Sequence, residues 1–191
     1  MPPRVPPRSS SDDHPSRTTA TGYRSVPYSV LADSHDRLKA AWWGTRSLSE
    51  GAPTLSALVE RIFTTYSSDA EERDNAGHPF PPAPARAQGA RSVGAGSGRR
   101  ARAYYLPSSL HDRFKAAWWA TRDEQTGKPA LNELVESLFA AAAAHLEQEY
   151  NDGLRFPSAP ARARGVSAEG AQRQGERQRQ LWQARRDEGQ D

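Results

Sequence analysis

One stretch of this chain is written twice. "HDRLKAAWWGTR" occupies residues 35–46 and "HDRFKAAWWATR" residues 111–122, an offset of 76 positions (111 − 35). With that offset fixed, "LSALVERIF" (55–63) meets "LNELVESLF" (131–139), and "NAGHPFPPAPARAQG" (75–89) meets "NDGLRFPSAPARARG" (151–165). No gap is needed from about residue 23 to 91. A tandem duplication with unbroken spacing requires both copies to fold alike. Two copies are too few for a solenoid and suit an intramolecular pseudo-dimer.

Each copy opens on a short β-favouring stretch, "YRSVPYSVL" (23–31) in the first and "RRARAYYLP" (99–107) in the second. A helix is predicted next. Leu110, Phe114, Ala117 and Trp118 recur at helical period, and their counterparts are Ser34, Leu38, Ala41 and Trp42. Pro53 and Pro129 follow a polar turn, where a second helix is expected to begin, since its first position tolerates a missing N–H. That helix places Leu55, Leu58, Val59, Ile62 and Tyr66 on one face, and Leu131, Leu134, Val135, Leu138 and Ala142 on its twin. "FAAAAAHLEQEY" (139–150) has strong helix propensity and is expected to lengthen the second copy's helix.

A strand-helix-helix unit of about 50 residues is too small to bury its own apolar stripe, and a lone strand leaves its backbone donors unpaired. Both defects vanish if two units pair, strand against strand, with four helices packed around them, either within one chain, which is the favoured expectation, or between two chains of a homodimer. The expected fold is therefore mainly α with a short β-ribbon. Trp42 and Trp118 fall on the core stripe; Trp43 and Trp119 are turned about 100° away and are expected where the units meet. Core filling is the ordinary role of such a pair, and base stacking the alternative.

Composition bounds the rest. Only 36% of the 191 residues are hydrophobic, and 14 Gly and 15 Pro interrupt the chain, which speaks for folded islands between disordered segments. The expected division is a disordered arm at 1–22, repeat one at 23–75, a Pro/Ala/Gly/Arg linker at 76–99, repeat two at 100–152 and a basic Arg/Gln-rich tail at 153–191. With no Cys, neither a disulfide framework nor a thiolate metal site is expected. No apolar run reaches a membrane span, and "MPPRVPPRSSSDDHP" lacks a secretory apolar stretch, so a cytoplasmic protein is expected. The net charge is +3, and all basic residues but Lys39, Lys115 and Lys128 are Arg. A basic balance favours an anionic partner, although an excess of this size is also ordinary. No nucleophile–base motif or phosphate loop is present, and His35 and His111 lack companion ligands, so no enzyme, cofactor or metal is expected.

Strand-helix-helix units that fold only as pairs are the pattern of the ribbon-helix-helix (MetJ/Arc-type) DNA-binding proteins. "YYLPSSLHDRFKAA" (104–117) resembles that superfamily's strand-to-helix junction, and "GKPALNELVESLF" (127–139) is similar to its second-helix opening. "HLEQEYNDGLRFPSAPARARG" (145–165) resembles the C-terminal end of actinobacterial plasmid-partition centromere-binding proteins of the ParB type, where a "YN-x-G-x-x-FP" run leaves the second helix for a basic tail. The resemblance covers both repeats, roughly two thirds of the chain. This chain departs from it in carrying two units, and in having Val30-Leu31 where the second copy has Leu106-Pro107.

The resemblance implies paired strands in the major groove of double-stranded DNA and second-helix N-termini clamping its backbone. Strand alternation points Val26, Tyr28, Val30, Tyr104 and Leu106 inward, and Ser25, Pro27, Ser29, Ala101, Ala103 and Tyr105 towards the groove. Arg24, Arg100 and Arg102 flank that face; Arg102 falls in the inward phase near a strand end, and a register slip of one exchanges it with Arg100's role. Because the copies differ most here, an asymmetric DNA site is expected. The clamps fall at Ala52–Ser56 and Lys128–Asn132, with Ser56, Lys128 and Asn132 as contacts.

In partition systems the N-terminal arm carries an Arg that stimulates a ParA-like Walker ATPase, which makes Arg4, Arg8 and Arg17 candidates; a solvated tail is the plain alternative. The duplicated "PAPAR" segments either follow DNA phosphates through Arg86, Arg162 and Arg164 or pack over a helix. The Arg/Gln-rich stretch around Leu181-Trp182 reads as a partner-binding helix or as disorder. The leading expectation is a plasmid-partition DNA-binding protein that represses its own operon. The alternatives are an antitoxin, copy-number or conjugation regulator of the same fold, and a helical interaction module without DNA binding.

Overall fold

A computed structural model of the protein describes residues 22–48, 50–85, 87, 98–161 and 163. It is mixed α/β: β1 (Tyr23–Leu31), α1 (Ala32–Thr45), α2 (Leu55–Asp74), β2 (Arg99–Pro107), α3 (Ser108–Thr121) and α4 (Leu131–Tyr150). β1 and β2 form a two-stranded antiparallel sheet, with Tyr23 opposite Pro107, Pro27 opposite Ala103 and Leu31 opposite Arg99. None of the described helices is long and apolar enough to cross a membrane.

Alternation along the strands divides the sheet. Val26, Tyr28, Val30, Tyr104 and Leu106 are buried against the helices, while Ser25, Pro27, Ala101, Ala103 and Tyr105 are exposed on the other face. The outer edges are covered by side chains from the helices. The backbone N–H of Ser29 donates to Asn132 Oδ1 (3.2 Å), that of Leu31 to Glu136 Oε1 (2.7 Å), and that of Tyr105 to Ser56 Oγ (3.2 Å). These odd-numbered N–H groups point away from the partner strand, so Pro27 and Pro107 sit where no ladder donor is lost.

Both strands run straight into a helix with no polar N-cap; Leu31 and Pro107 occupy that position and make no side-chain cap. The other repeat supplies the missing acceptor. Ala32 N–H donates to Gly98 O (3.2 Å) and Ser108 N–H to Gly22 O (2.8 Å). Gly22 (φ +73°) and Gly98 (φ +69°) both lie in the left-handed region that favours glycine.

The helices mix the two copies: α1 packs chiefly on α4, and α3 on α2. Phe63 and Phe114 stack at 3.9 Å between ring centroids, and Tyr28 and Tyr104 meet Phe63 and Phe139 edge-on, each at 5.6 Å. Trp42 and Trp118 are 1% exposed, and their indole N–H groups donate to Ala52 O (2.9 Å) and Pro129 O (2.8 Å), closing each helix–helix turn. Trp43 and Trp119 are half-buried. Their ring partners come from their own repeat: Trp42 and Trp118 edge-on, and the Arg46 and Arg122 guanidinium groups 3.2 Å from the ring centroids. Cation–π stacking covers one face of each ring, and both rings pack at the margin of the core that the two repeats share.

Three further expectations are corrected. The deepest stripe of the second helices is Val59 with Phe63 and Val135 with Phe139, these four 0% exposed, and Ile62, Tyr66, Leu138 and Ala142 lie at its margin. These helices touch both the sheet and a helix of the other repeat, so their buried arc is wide, and Phe63 and Phe139 fall at its centre. α4 is not longer than α2: both have 20 residues. Ala70 and Glu71, both buried, hold the last turns of α2 by packing where the Ala run of α4 has propensity. Pro53 and Pro129 stand one residue before the N-caps Thr54 and Ala130, outside the first helical position.

Both long helices end in the same way. Gly77 N–H returns to Glu71 O and Gly153 N–H to Glu147 O, both at 2.9 Å, with Ala76, Gly77, Asp152 and Gly153 at positive φ. The chain leaving α4 then crosses onto α1 of the other repeat. Phe156 lies where a Cβ on Gly44 would have to be, Lys39 Nζ donates to Pro160 O (3.2 Å), and Arg155 approaches Asp33 at 3.7 Å. Of the two readings of the "PAPAR" segments, packing over a helix holds for the described part of the second one.

Candidate nucleic-acid interface

The open face of the sheet carries Ser25, Ser29 and Tyr105, the strands' other row carries Arg24, Arg100 and Arg102, and the starts of α2 and α4 carry Ser56, Lys128 and Asn132. The 18 strand residues hold four arginines (Arg24, Arg99, Arg100, Arg102) and no carboxylate, against a net +3 for all 191 residues. The sheet is thus one basic segment of the chain, alongside the Arg-rich tail at 153–191.

Those arginines are not equivalent. Arg24 Nη2 is 2.5 Å from Asp112 Oδ1, and its counterpart Arg100 stands exposed. Arg99 bridges to Glu136 at 2.8 Å and donates to Ser29 O at 3.1 Å, so it ties the strand end to α4. Arg102 occupies the inward row, where its counterpart is the buried Val26. It is half-buried, and its Nε has no hydrogen-bond partner.

On the outer face, Ser25 lies opposite Tyr105, and Ser29 opposite Ala101. Tyr105 is 45% exposed and stacks on Tyr23, with ring centroids 5.4 Å apart and planes 18° from parallel. A groove of about 740 Å³ runs between β2 and the start of α2, lined by Tyr23, Thr54, Ser56, Glu60, Arg102 and Tyr105.

Ser56 and Asn132, read as DNA contacts, hold the sheet edges through Tyr105 and Ser29. The helix starts differ. Thr54 Oγ1 accepts from Ala57 N–H (3.0 Å) on α2. On α4 the Glu133 carboxylate accepts from Ala130 N–H (3.1 Å), which sets a negative charge where an anion clamp was expected. Lys128 is exposed beside it. Arg4, Arg8, Arg17, Arg86, Arg162 and Arg164 lie outside the described residues.

Beneath the sheet are polar pairs that sequence reading missed. Tyr28 OH and His111 Nδ1 are 2.8 Å apart, as are Tyr104 OH and His35 Nδ1. Burial holds both imidazoles down to about 4, and pushes both phenols up, so each pair is a hydrogen bond between a neutral ring and a protonated hydroxyl. Arg37 grips Glu147 through two bonds (2.5 and 3.0 Å), and Arg113 grips Glu71 likewise. These hydrogen bonds hold the carboxyls of Glu71 and Glu147, nearly buried, below the usual range. All four pairs link one repeat to the other, and they come in equivalent twos. The signal available in the sequence was the recurrence of His, Arg, Tyr and Glu at the 76-residue offset.

Among the described residues no cluster of His, Asp and Glu has the makings of a metal site. Comparison of the chain with protein-family profiles, with curated proteins and with solved structures gives no match.

Proposed function

We propose that this chain is a site-specific double-stranded DNA-binding protein, its two strand-helix-helix repeats pairing as one ribbon-helix-helix unit whose β-ribbon enters the major groove. The observation that carries this reading is the sheet itself: two strands, helices on one face only, an open second face, four arginines and no carboxylate. A major groove about 12 Å wide admits a two-stranded ribbon, and phosphates on both sides favour its positive charge. The "YNDGLRFP" ending supports the narrower proposal of a plasmid-partition centromere-binding protein that represses its own operon, with a ParA-like Walker ATPase as partner of the N-terminal arm.

A second reading, a helical interaction module without DNA binding, draws on the poor hydrogen-bonding capacity of Pro27, Ala101 and Ala103 and on the engagement of Ser56 and Asn132 with the sheet edges. A binding titration at two salt concentrations separates the two. It compares the DNA upstream of the protein's own gene with a scrambled duplex. Selective, steeply salt-dependent binding is expected; equal, feeble affinity for both duplexes overturns the DNA reading.

A further inference from the structure

We propose that the ribbon reads a non-palindromic duplex site in one fixed orientation, with a cationic half and an aromatic half. This rests on the DNA-binding reading above. The middle of the sheet is the pair Pro27–Ala103, and the two halves on either side of it have unlike chemistry.

In one half lie Ser25, Tyr105 and Tyr23, the two rings stacked and Tyr105 prominent on the open face. The arginine of this half, Arg24, is held by Asp112. In the other half the positions equivalent to Tyr23, Ser25 and Val26 are Arg99, Ala101 and Arg102, and Arg100 stands exposed between them. Three of the ribbon's four arginines therefore fall in one half, where Arg99 is tied to Glu136, Arg102 lies half-buried in the inward row and Arg100 is the exposed cation, and the two-tyrosine stack falls in the other half. A dimer of identical chains cannot present such a surface, because each half of it repeats the other.

The chemistry assigns the contacts by class. The aromatic half offers flat apolar area and a serine hydroxyl, which suit thymine methyls and A·T-rich edges. The cationic half offers the exposed Arg100 guanidinium, which suits phosphate oxygens or the O6/N7 edge of guanine. Reversing the duplex places each half of the protein on the wrong half of the site. The cost of mismatched base pairs accumulates, so a few of them make one orientation dominant.

The experiment uses the full chain and a duplex selected by it from a random pool. Two palindromic duplexes are then built, each repeating one half of the selected site. The chain has no Cys, so Glu124→Cys, in the exposed turn between α3 and α4, gives one attachment point for an iron chelate that cleaves nearby DNA. The expected results are a non-palindromic selected site, at least 10-fold weaker binding to both palindromes, and cleavage at one end of the site only. Tyr105→Ala is expected to relax discrimination in one half and leave it unchanged in the other. A palindromic selected site, or equal cleavage at both ends, overturns fixed orientation while leaving DNA binding intact. Failure to enrich any duplex over the random pool overturns DNA binding, and this inference with it.

Discussion

Pro27 and Ala103 are partners at the centre of the sheet, and position 27 of one repeat is position 103 of the other. At this pair alone the strand register and the repeat offset coincide, so an approximate two-fold axis passes between them. The cross-repeat pairs obey it: His35–Tyr104 is matched by His111–Tyr28, Arg37–Glu147 by Arg113–Glu71, and Ser29–Asn132 by Tyr105–Ser56.

Separated repeats are expected to be unfolded as monomers, because the helix contacts, the helix-start acceptors Gly22 and Gly98, and the sheet all cross between copies. Fragments 22–85 and 98–163 should show little helix alone at low micromolar concentration and regain it when mixed. Circular dichroism with sedimentation tests this; a helical monomer from either fragment contradicts it.

Trp118→Ala is expected to cost about 3–5 kcal/mol, the range for a large buried aromatic; it also leaves Pro129 O without its indole donor. Trp119→Ala should cost clearly less, since that ring is half-buried and capped by Arg122. Urea denaturation of the two variants checks the order.

Glu147→Gln removes the nearly buried charge of a part-buried pair and leaves the Arg37 guanidinium without its carboxylate. A loss of about 3 kcal/mol is expected, because the remaining charge stays partly desolvated. The double variant Arg37→Met with Glu147→Leu should recover part of it. A single-variant loss under ~0.5 kcal/mol would place this pair with ordinary surface ion pairs.

Acid should destabilise the fold in the range where histidine titrates. The unfolded chain, its imidazoles near 6.5, takes up protons between pH 6.5 and 4 that folded His35 and His111, held at about 4, refuse. Stability is then full above about pH 6.5 and declines as the pH falls towards 4, on the order of 2–3 kcal/mol for each imidazole. The carboxyls of Glu71 and Glu147, held low by their arginines, add a further loss in the same direction at more acid pH. Denaturation midpoints at pH 7.5, 5.5 and 4.5 measure the slope, and His35→Gln with His111→Gln should flatten its upper part.

On DNA, Lys128→Ala is expected to lower the slope of log K against log salt by about one and to weaken all duplexes alike, as loss of one phosphate contact does. Glu133→Gln should act oppositely, since it removes a negative charge at the start of α4. Equal slopes for wild type and both variants would remove this helix start from the interface.

The strands, the two helices of each copy and the inward faces of the sheet were legible because period and repeat report them directly. Phe63 and Phe139 were less so: a helix buried on two sides has a wide apolar arc, and periodicity does not locate its centre. The engagement of Ser56 and Asn132 with the sheet edges was hidden, because a side chain's partner 49 or 103 residues away leaves no local trace. The same holds for Arg24, whose fixation by Asp112 depends on the register of the sheet. Arg102 is the converse case: alternation alone put it in the inward row, beside a partner copy that has Val26 there.

Fusing the two copies alters how a single substitution is felt. In a dimer of identical chains every change is made twice, at both ends of the ribbon and on both sides of the axis. Here it is made once, so Val26 and Arg102, or Ser29 and Tyr105, can differ while occupying matching places in one shared core. One end of the molecule is thus free to be rewritten while the other stands as its template.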